Sequence, residues 1–497
     1  MITMAPLRPP SKISSRRRAA DYAGEVPRVV VVGGSLSGLM SALLLARAGW
    51  DVALVERDPL PMGRGPEEAW AAWPRPAVPQ SGHSHNFFAR IRTELATHAP
   101  DVLTRMYDAG VEDLHIRTHA PPGVDVALAP GADDDLVALI GRRSTFEWAM
   151  RRAVLDEPRV RPVLGDVVGL VADPGAPPRV TGIRLSDGVL DADLVVDASG
   201  RRSRAGTWLH DVGAPPLDFD SVDCGVSYFT RYYRLREPDA TWPTLTRGVG
   251  GGANFPTHMC AAFPADRRTY SVTLGLPPWV DGLRGLRDPI AFEALVGLSP
   301  VSAPWGVDGV GEPITDIRVL AGLRNGIRRQ ATVTPPAIGL LLVGDSFMHT
   351  NPAMARGVTL AVLGAARLAA TVAEHRDEGD RATAWTAELA TLADTYYDDV
   401  LDRDVDRTEL WSATWEGRAP QVRPVADDVL YGELVRAMAI DAQVWCTLQR
   451  AMNLLDAPAS AWAPDVIARV QAIRAAGDLP SLPPVSTPDE VLAAAAS

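Results

Sequence analysis

The stretch VVVVGGSLSGLM, Val29–Met40, decides the fold of this 497-residue chain. Four consecutive β-branched residues predict a strand that is buried on both faces, as in a parallel sheet. A glycine turn follows, and apolar residues then recur at helical spacing over residues 35–47, before Gly49. DVALVERD, Asp51–Asp58, predicts a second strand, so the segment forms a β-α-β unit.

The turn inside this unit has the spacing of a dinucleotide-binding fingerprint, with Ser35 where the second glycine of G-x-G-x-x-G is expected. Gly33 permits the tight turn, Gly38 permits close packing of helix on strand, and Ser35 is small enough for a pyrophosphate to approach. The helix start at Leu36 and Ser37 offers free N–H groups and the positive end of a dipole. The turn is therefore a candidate phosphate cradle.

Glu56 ends the second strand, 23 residues after Gly33, where a carboxylate can accept hydrogen bonds from ribose hydroxyls. The alternative is a glycine-rich turn in an ordinary α/β protein. Because strand, turn, helix and acid are in register, the pattern favours a nucleotide site. It does not distinguish NAD from FAD.

Two later segments have the strand and glycine-turn pattern of a nucleotide-binding domain. DADLVVDASG, Asp191–Gly200, and AIGLLLVGD, Ala337–Asp345, are buried strands that meet glycine turns. Between them, alternating runs over residues 223–327 predict an antiparallel sheet. Residues 59–80 are rich in proline and tryptophan and predict a loop, and the chain after Gly357 is mostly helical. We therefore expect an α/β fold (α+β overall), with a discontinuous Rossmann-like domain, an inserted antiparallel-sheet domain and a helical C-terminal region.

Two of these segments resemble the FAD-dependent monooxygenases of the p-hydroxybenzoate hydroxylase superfamily. LLLVGDSFMHTNPAMARGVTLAVLGAARLA, Leu340–Ala369, is similar to the family pattern of G-D-A, a proline, G-x-G and a helix. VVDASGRRSRAGTWL, Val195–Leu209, resembles the family's middle motif. The resemblance implies that Asp345 binds the ribityl chain of FAD. It also implies that the helix after Gly357 points its N-terminus at the flavin ring, where it stabilises the negative charge of reduced flavin.

The segment MARG, Met354–Gly357, departs from that family pattern. Ala355 replaces the first glycine of G-x-G, and Arg356 takes the middle position. The departure lies beside the reacting ring rather than at the distant phosphates.

Three more segments extend the resemblance over most of residues 28–370: VPQSGHSHNFFAR (78–90), GRRSTFEWAMRR (141–152) and SVDCGVSYFTRYYR (221–234). They are most similar to the flavin epoxidases of polyether biosynthesis, which act on polyene chains. Together, the residues and the resemblance predict an FAD-binding set that consists of Gly33, Ser35, Leu36, Ser37, Gly38, Glu56, Arg57, Arg143, Asp197, Gly200, Gly344, Asp345, Pro352, Gly357 and Val358.

Arg143 and a histidine pair each have two interpretations. Arg143 lies where the family has an arginine that contacts FAD, but a surface helix arginine fits the residues as well. His83 and His85 share one face if their segment is a strand, and an H-x-H pair can bind metal. No third ligand is visible nearby, so we predict no metal and interpret the pair as hydrogen-bonding groups near the flavin or the pocket mouth. Structural histidines are the alternative.

The aromatic run in the predicted sheet supplies candidate substrate-pocket residues. These are Tyr228 and Tyr232, together with Phe229 and Tyr233. Because successive strand residues point to opposite faces, some of the four must pack into the core of the sheet.

The chain divides on this basis into four kinds of segment. They are a disordered tail (1–27), an FAD-binding domain in three pieces (28–75, 140–215 and 335–372), substrate-binding segments (76–139 and 216–334) and a C-terminal helical region (373–497).

The resemblance implies an FAD-dependent monooxygenase. It would insert one oxygen atom of O2 into a hydrophobic natural-product intermediate, by epoxidation or hydroxylation through a flavin C4a-hydroperoxide. The flavin carries this chemistry, so no catalytic side chain is predicted. The sequence shows no second nucleotide-binding β-α-β unit, so NAD(P)H is expected to act as a transient reductant, or a flavin reductase partner supplies reduced flavin.

Two other flavin enzymes remain as alternatives. One is a reductase or dehydrogenase that inserts no oxygen. The other is a flavin halogenase, which uses a lysine and a W-x-W-x-I-P motif; here Lys12 in the tail is the only lysine, and Trp70 and Trp73 lack that continuation.

The composition limits the partners and the location. The chain has a net charge of −12, with 46% apolar and 22% charged residues, which fits a globular protein and argues against nucleic-acid binding. Three widely spaced cysteines are typical of reduced thiols and predict a cytoplasmic protein. No apolar run reaches transmembrane length, so no integral membrane segment is expected.

Overall fold

The computed structural model describes residues 26–497 except 59–62, 74, 76–77, 126–134, 238, 247–248, 330–333 and 482–484. The tail predicted over residues 1–27 therefore lies outside the described residues up to residue 25. The β-strands are β1 (Arg28–Val32), β2 (Asp51–Glu56), β3 (Glu112–His115), β4 (Val137–Ile140), β5 (Val160–Leu164), β6 (Val167–Asp173), β7 (Arg179–Leu185), β8 (Gly188–Asp191), β9 (Leu194–Asp197), β10 (Asp218–Asp223), β11 (Ser227–Leu235), β12 (Gly251–Asn254), β13 (Met259–Pro264), β14 (Thr269–Leu276), β15 (Gly311–Pro313), β16 (Arg318–Leu320), β17 (Arg324–Arg329), β18 (Leu340–Leu342), β19 (Met348–His349), β20 (Pro424–Ala426) and β21 (Val429–Leu430). The α-helices are α1 (Leu36–Arg47), α2 (Pro66–Ala72), α3 (Ala89–His98), α4 (Pro100–Asp108), α5 (Arg143–Leu155), α6 (Ala205–Asp211), α7 (Pro289–Gly297), α8 (Gly357–Glu374), α9 (Glu378–Glu416), α10 (Tyr431–Ala437), α11 (Ala442–Met452), α12 (Pro464–Ala476) and α13 (Pro488–Ala495).

A five-stranded parallel sheet in the order β18-β9-β1-β2-β5 forms the centre of the nucleotide-binding part. Val32 at the end of β1 lies beside Val55 of β2 and Asp197 of β9. The carboxyl ends of the central strands therefore meet at one edge, where open α/β sheets bind ligands. Helices α1, α5 and α8 contribute buried residues to the core around this sheet. The predicted strands, the helix after Ser35 and the fold class are confirmed.

An antiparallel sheet in the order β12-β13-β14-β11-β15 faces that edge, with β16 also paired to β11. The two-residue period of β11 places Tyr228, Thr230 and Tyr232 on one face. Phe229 and Tyr233 belong to the other face and pack into the main apolar core, where Tyr233 stacks on the ring of Tyr270. The alternation expected of the aromatic run is therefore present.

Helix α2 corrects the prediction of a loop over residues 59–80. Pro66 occupies the first turn after Gly65, and two glutamates follow in that turn, which suits the positive end of the helix dipole. Trp70 packs edge-on against Tyr232 at a centroid distance of 4.7 Å. Pro66 and Ala69 are the buried residues of this short helix, whose composition resembles a loop.

Helix α8 is the one helix in the described ranges whose length and apolar composition would suffice to cross a membrane. Slightly more than half of it is buried inside the protein, and it packs against α1. Both features are typical of a core helix.

Candidate functional site

A cavity of about 280 Å³ lies between the carboxyl edge of the parallel sheet and the antiparallel sheet. The predicted residues that line it are Gly33, Ser35, Leu36, Ser37, Glu56, Arg57, Arg143, Gly200, Asp345, Pro352, Gly357, Val358, Tyr228, His83 and His85. The predicted residues that are not part of the lining are Gly38, Asp197, Gly344 and Tyr232. The structure thus brings residues from distant segments to one site.

The turn at Gly33 is shaped for close approach of a ligand. Gly33 has φ +107°, and a Cβ atom there would lie 2.4 Å from the carbonyl oxygen of Ala198. Its N–H donates to the Val55 carbonyl at 2.8 Å, which joins the turn to β2. Ser35 precedes α1 in an extended conformation without capping the helix through its side chain, so the first N–H groups of the helix are left for a ligand.

Glu56 is held in place by backbone donors at the end of β2. One carboxylate oxygen accepts a hydrogen bond from Gly34 N–H at 2.7 Å, and the other accepts one from Asp58 N–H at 3.0 Å. Each oxygen keeps a further acceptor position, and the residue lines the cavity. Glu56 is therefore oriented to accept hydrogen bonds from a diol such as a ribose.

Arg143 lines the cavity. The residue is 8% exposed, so the interpretation as a surface arginine is wrong. One Nη donates to Ser35 Oγ at 3.0 Å, and the other lies 3.3 Å from His85 Nε2. Since Arg143 can only donate, His85 accepts through Nε2 and donates its Nδ1–H to the His83 carbonyl at 2.9 Å. Burial and Arg143 lower the pKa of His85 to about 3, which keeps the ring neutral.

A second buried arginine, Arg75, was not predicted from the sequence. Its guanidinium forms a 2.9 Å ion pair with Glu147, and the side chain is 4% exposed. Arg75 Nε and Nη1 have no hydrogen-bond partner among the described residues, and neither has Arg143 Nε, which lies 3.7 Å from a carboxylate oxygen of Glu147. Both arginines line the cavity. Unsatisfied buried donors of this kind fit an anionic ligand such as a pyrophosphate.

The middle motif acts mainly within the protein. Asp197 is fully buried and accepts hydrogen bonds from Ser199 N–H at 2.9 Å, Ser199 Oγ at 2.6 Å and Ser203 Oγ at 2.6 Å. These contacts hold the turn that presents Gly200 to the cavity. Asp345 faces the cavity itself, and burial raises the pKa of its carboxyl although His349, Arg143 and Arg201 act against that rise.

The MARG loop, Met354–Gly357, accommodates the two residues that replace the family's glycine pattern. Ala355 adopts φ +53° and ψ +20°, the left-handed conformation that a glycine would take with less strain. Arg356 is 5% exposed and forms a 2.6 Å ion pair with Asp399 of α9, so its side chain is engaged away from the cavity. The loop therefore still delivers the N-terminus of α8, at Gly357, to the cavity.

The charge of the lining differs from that of the chain. Among the residues that the structure describes, seven arginines line the cavity against three carboxylates, Glu56, Asp166 and Asp345. The whole chain carries a net charge of −12. This concentration of positive charge favours the binding of an anionic ligand, such as one that carries phosphate groups.

The antiparallel sheet supplies the apolar end of the cavity, with Met259, Ala261, Phe263, Leu320 and Leu323 in the lining. Tyr228 joins them, and its hydroxyl donates to Asn351 Oδ1 at 2.7 Å. Tyr232 lies behind the wall, where its hydroxyl donates to the His83 carbonyl at 2.9 Å. The alternation along β11 could have indicated Thr230 as a neighbour of these side chains, whereas no sequence signal marks Arg75.

The family model described as "FAD binding domain" matches residues 27–65, which contain the Gly33 turn and Glu56. This segment of the chain is similar to that family. The predicted cofactor FAD is thereby confirmed, and the cradle, the carboxylate and the unsatisfied arginine donors described above fit it. Protein Rv3254 of Mycobacterium tuberculosis is 28% identical over 365 residues, which cover 68% of this chain and 71% of the relative.

Two solved structures of similar fold are those of flavin proteins. PqsL from Pseudomonas aeruginosa, described as a probable FAD-dependent monooxygenase, superposes with a TM-score of 0.55 at 17% identity, over 78% of this chain and 99% of PqsL. The flavin-dependent brominase Bmp2 superposes with a TM-score of 0.51 at 15% identity, over 91% of this chain and 99% of the brominase. The chain thus shares the fold of these two flavin proteins. Together with the FAD binding domain match over residues 27–65, this fold supports the prediction of an FAD-dependent oxidoreductase.

Proposed function

We propose that the protein is an FAD-dependent monooxygenase that transfers one oxygen atom of O2 to a hydrophobic natural-product molecule, by epoxidation or hydroxylation. The observation that carries the proposal is a single cavity that joins the FAD cradle to an apolar end on the antiparallel sheet. The balanced reaction consumes O2, NAD(P)H and a proton, and yields the oxygenated product, water and NAD(P)+. When bound, FAD supplies the electron transfer and oxygen activation.

The side chains of the protein bind, orient and exclude water in this reaction. The turn at Gly33 and the donors of Arg75 and Arg143 would hold the pyrophosphate, while Glu56 would hold the ribose. The N-terminus of α8 at Gly357 would face the ring and favour negative charge there. Apolar side chains at the far end keep the reaction site dry and align the substrate.

The source of electrons is part of the same proposal. Either NAD(P)H binds transiently, or a flavin reductase partner delivers reduced flavin. A polyene epoxidase of the polyether type is the finer proposal, supported by the sequence resemblance over residues 78–90, 141–152 and 221–234. The sparse cysteines, all three of them buried, support a cytoplasmic location.

Incubation of the FAD-loaded protein with NAD(P)H, 18O2 and a panel of polyenes and phenols tests the proposal, with and without an added flavin reductase. A product that carries one 18O atom is expected, detected by mass spectrometry. A product that differs from its substrate only by two hydrogens, without label, would instead identify the reductase or dehydrogenase. A brominated product formed when bromide is added would identify a halogenase.

A further inference from the structure

Four hydroxyl side chains and His83 form one continuous hydrogen-bonded chain at the apolar end of the cavity. Starting from the imidazole, His83 Nδ1 lies 2.9 Å from Thr230 Oγ1, which lies 2.7 Å from Thr273 Oγ1. Thr273 Oγ1 lies 2.6 Å from Ser84 Oγ, and Ser84 Oγ donates to Ser271 Oγ at 2.7 Å. No local pattern in the sequence indicates this hydrogen-bonded chain of side chains, because its members come from three separate segments.

The direction of each hydrogen bond follows from the single proton that a hydroxyl carries. Ser84 donates its proton to Ser271, so Thr273 must donate to Ser84. Because Thr273 has no second hydroxyl proton, Thr230 must donate to Thr273. Thr230 is left as an acceptor toward His83, and Nδ1 of His83 must carry the ring proton. The hydroxyl chain therefore fixes the tautomer in which Nε2 is a hydrogen-bond acceptor.

His83 lies in the cavity lining, where hydroxyl and apolar side chains meet. The residue is 7% exposed and lines the cavity with Ser84, Thr230 and Thr273 as well as Met259 and Phe263. Its backbone carbonyl accepts hydrogen bonds from the Tyr232 hydroxyl and from His85 Nδ1, which hold the backbone, while the contact of Nδ1 with Thr230 orients the ring. Burial, with a smaller contribution from Arg318, lowers the pKa of His83 to about 4, so the ring is neutral near pH 7.

We propose that the apolar end of the cavity selects a substrate that carries a hydroxyl group, which donates its hydrogen bond to His83 Nε2. The inference rests on the proposed function, because it assigns the substrate to the same cavity. An apolar molecule that replaces the hydroxyl by an ether cannot donate, and it leaves Nε2 buried without a partner. His83 is accordingly a specificity-determining residue.

Matched probes test the proposal without any need for turnover. The FAD-loaded protein is titrated with 4-butylphenol and with its methyl ether, 4-butylanisole, and binding is followed by the change in flavin absorbance. We expect the phenol to bind about tenfold more tightly, as one hydrogen bond with a buried acceptor warrants. Equal affinities, or no saturable binding of the phenol, would overturn the proposal.

Two variants separate the acceptor from the chain that orients it. His83→Asn places an amide at the level of Nδ1, within reach of Thr230, but removes the acceptor at the level of Nε2. Thr230→Val removes the group that fixes the tautomer while it keeps the shape of the side chain. Both variants should lose most of the preference for the phenol, and a preference that survives His83→Asn contradicts the assignment.

FAD content, measured for each variant, shows that the fold and the cradle are intact. The two proposals can fail separately, because the binding preference does not depend on catalysis. A retained preference for the phenol, combined with no 18O incorporation into any product, would contradict the proposed monooxygenase activity but support the hydroxyl-binding site at His83.

Discussion

The guanidinium of Arg356 lies 2.6 Å from a carboxylate oxygen of Asp399, and the two side chains are only 6% and 10% exposed. The pair connects the loop before α8 to the long helix α9. It explains how an arginine is tolerated in the middle of a turn that normally requires small residues. The charge is directed into the protein and neutralised there, so the loop surface that faces the cavity is free of it.

Arg356→Ala should lower the free energy of unfolding by about 3 kcal/mol, because it leaves a buried carboxylate without its closest partner. Arg403, at 3.9 Å from Asp399, offers only a distant replacement. Urea unfolding measures the loss. Arg64→Ala is the matched control, since the Arg64 side chain is 99% exposed and its pair with Glu68 should contribute no more than about 0.5 kcal/mol. Similar losses in both variants would contradict the role given to Arg356.

Gly33→Val should abolish FAD binding, whereas Ser35→Gly should retain it. A side chain at position 33 would collide with the Ala198 carbonyl, and the positive φ is unfavourable for valine. Ser35→Gly loses one hydrogen bond from Arg143 but keeps the backbone of the turn. Flavin absorbance after gel filtration reports the retained cofactor. Gly188→Val, in an open position of β8, should bind FAD normally, and FAD retained by Gly33→Val would argue against the cradle.

Glu56→Gln should raise the Kd for FAD about tenfold. The amide keeps the size of the side chain, but it replaces a charged acceptor by a weaker neutral one and disturbs the bonds from Gly34 and Asp58. Titration of the apoprotein with FAD, followed by quenching of flavin fluorescence, gives the Kd. Glu68→Gln, on the surface of α2, serves as the control, and an unchanged Kd for Glu56→Gln would exclude a contact with the ribose.

Stability should fall as the pH is lowered from about 6.5 to about 4, in part because of His258. This residue is 1% exposed, and burial lowers its pKa to about 4. In that window the unfolded chain binds a proton that the folded chain does not, so the free energy of unfolding decreases by up to about 1.4 kcal/mol per pH unit for this group. Below the folded pKa the contribution ends.

His258→Asn should flatten this dependence, because asparagine can keep the hydrogen bond that Nδ1 shares with Thr257 but does not titrate. Urea unfolding at a series of pH values checks the slope. His210→Asn, at an exposed position of α6, should leave the slope unchanged. Parallel curves for wild type and His258→Asn would show that another group causes the loss.

The sequence was sufficient to predict the structural features that depend on residues close together in the chain. Four valines before Gly33, the helix after Ser35 and the acid at Glu56 follow from local periodicity and turn chemistry, and the structure has them in register. The order of these motifs also predicted the discontinuous fold. A lone arginine or a short helix has no such signature, which is why α2 and Arg75 were missed.

Only the tertiary structure decided which side chains meet. His83 and Thr230 are 147 residues apart, and Ser84 and Thr273 are 189 apart, so no local pattern could join them into a chain that fixes a tautomer. The direction of Arg356 depended in the same way on Asp399. The physical reason is that hydrogen bonds and ion pairs require groups to be close in space, whatever their separation in sequence. Hydrophobic periodicity and turn preference depend instead on residues that are neighbours in the sequence.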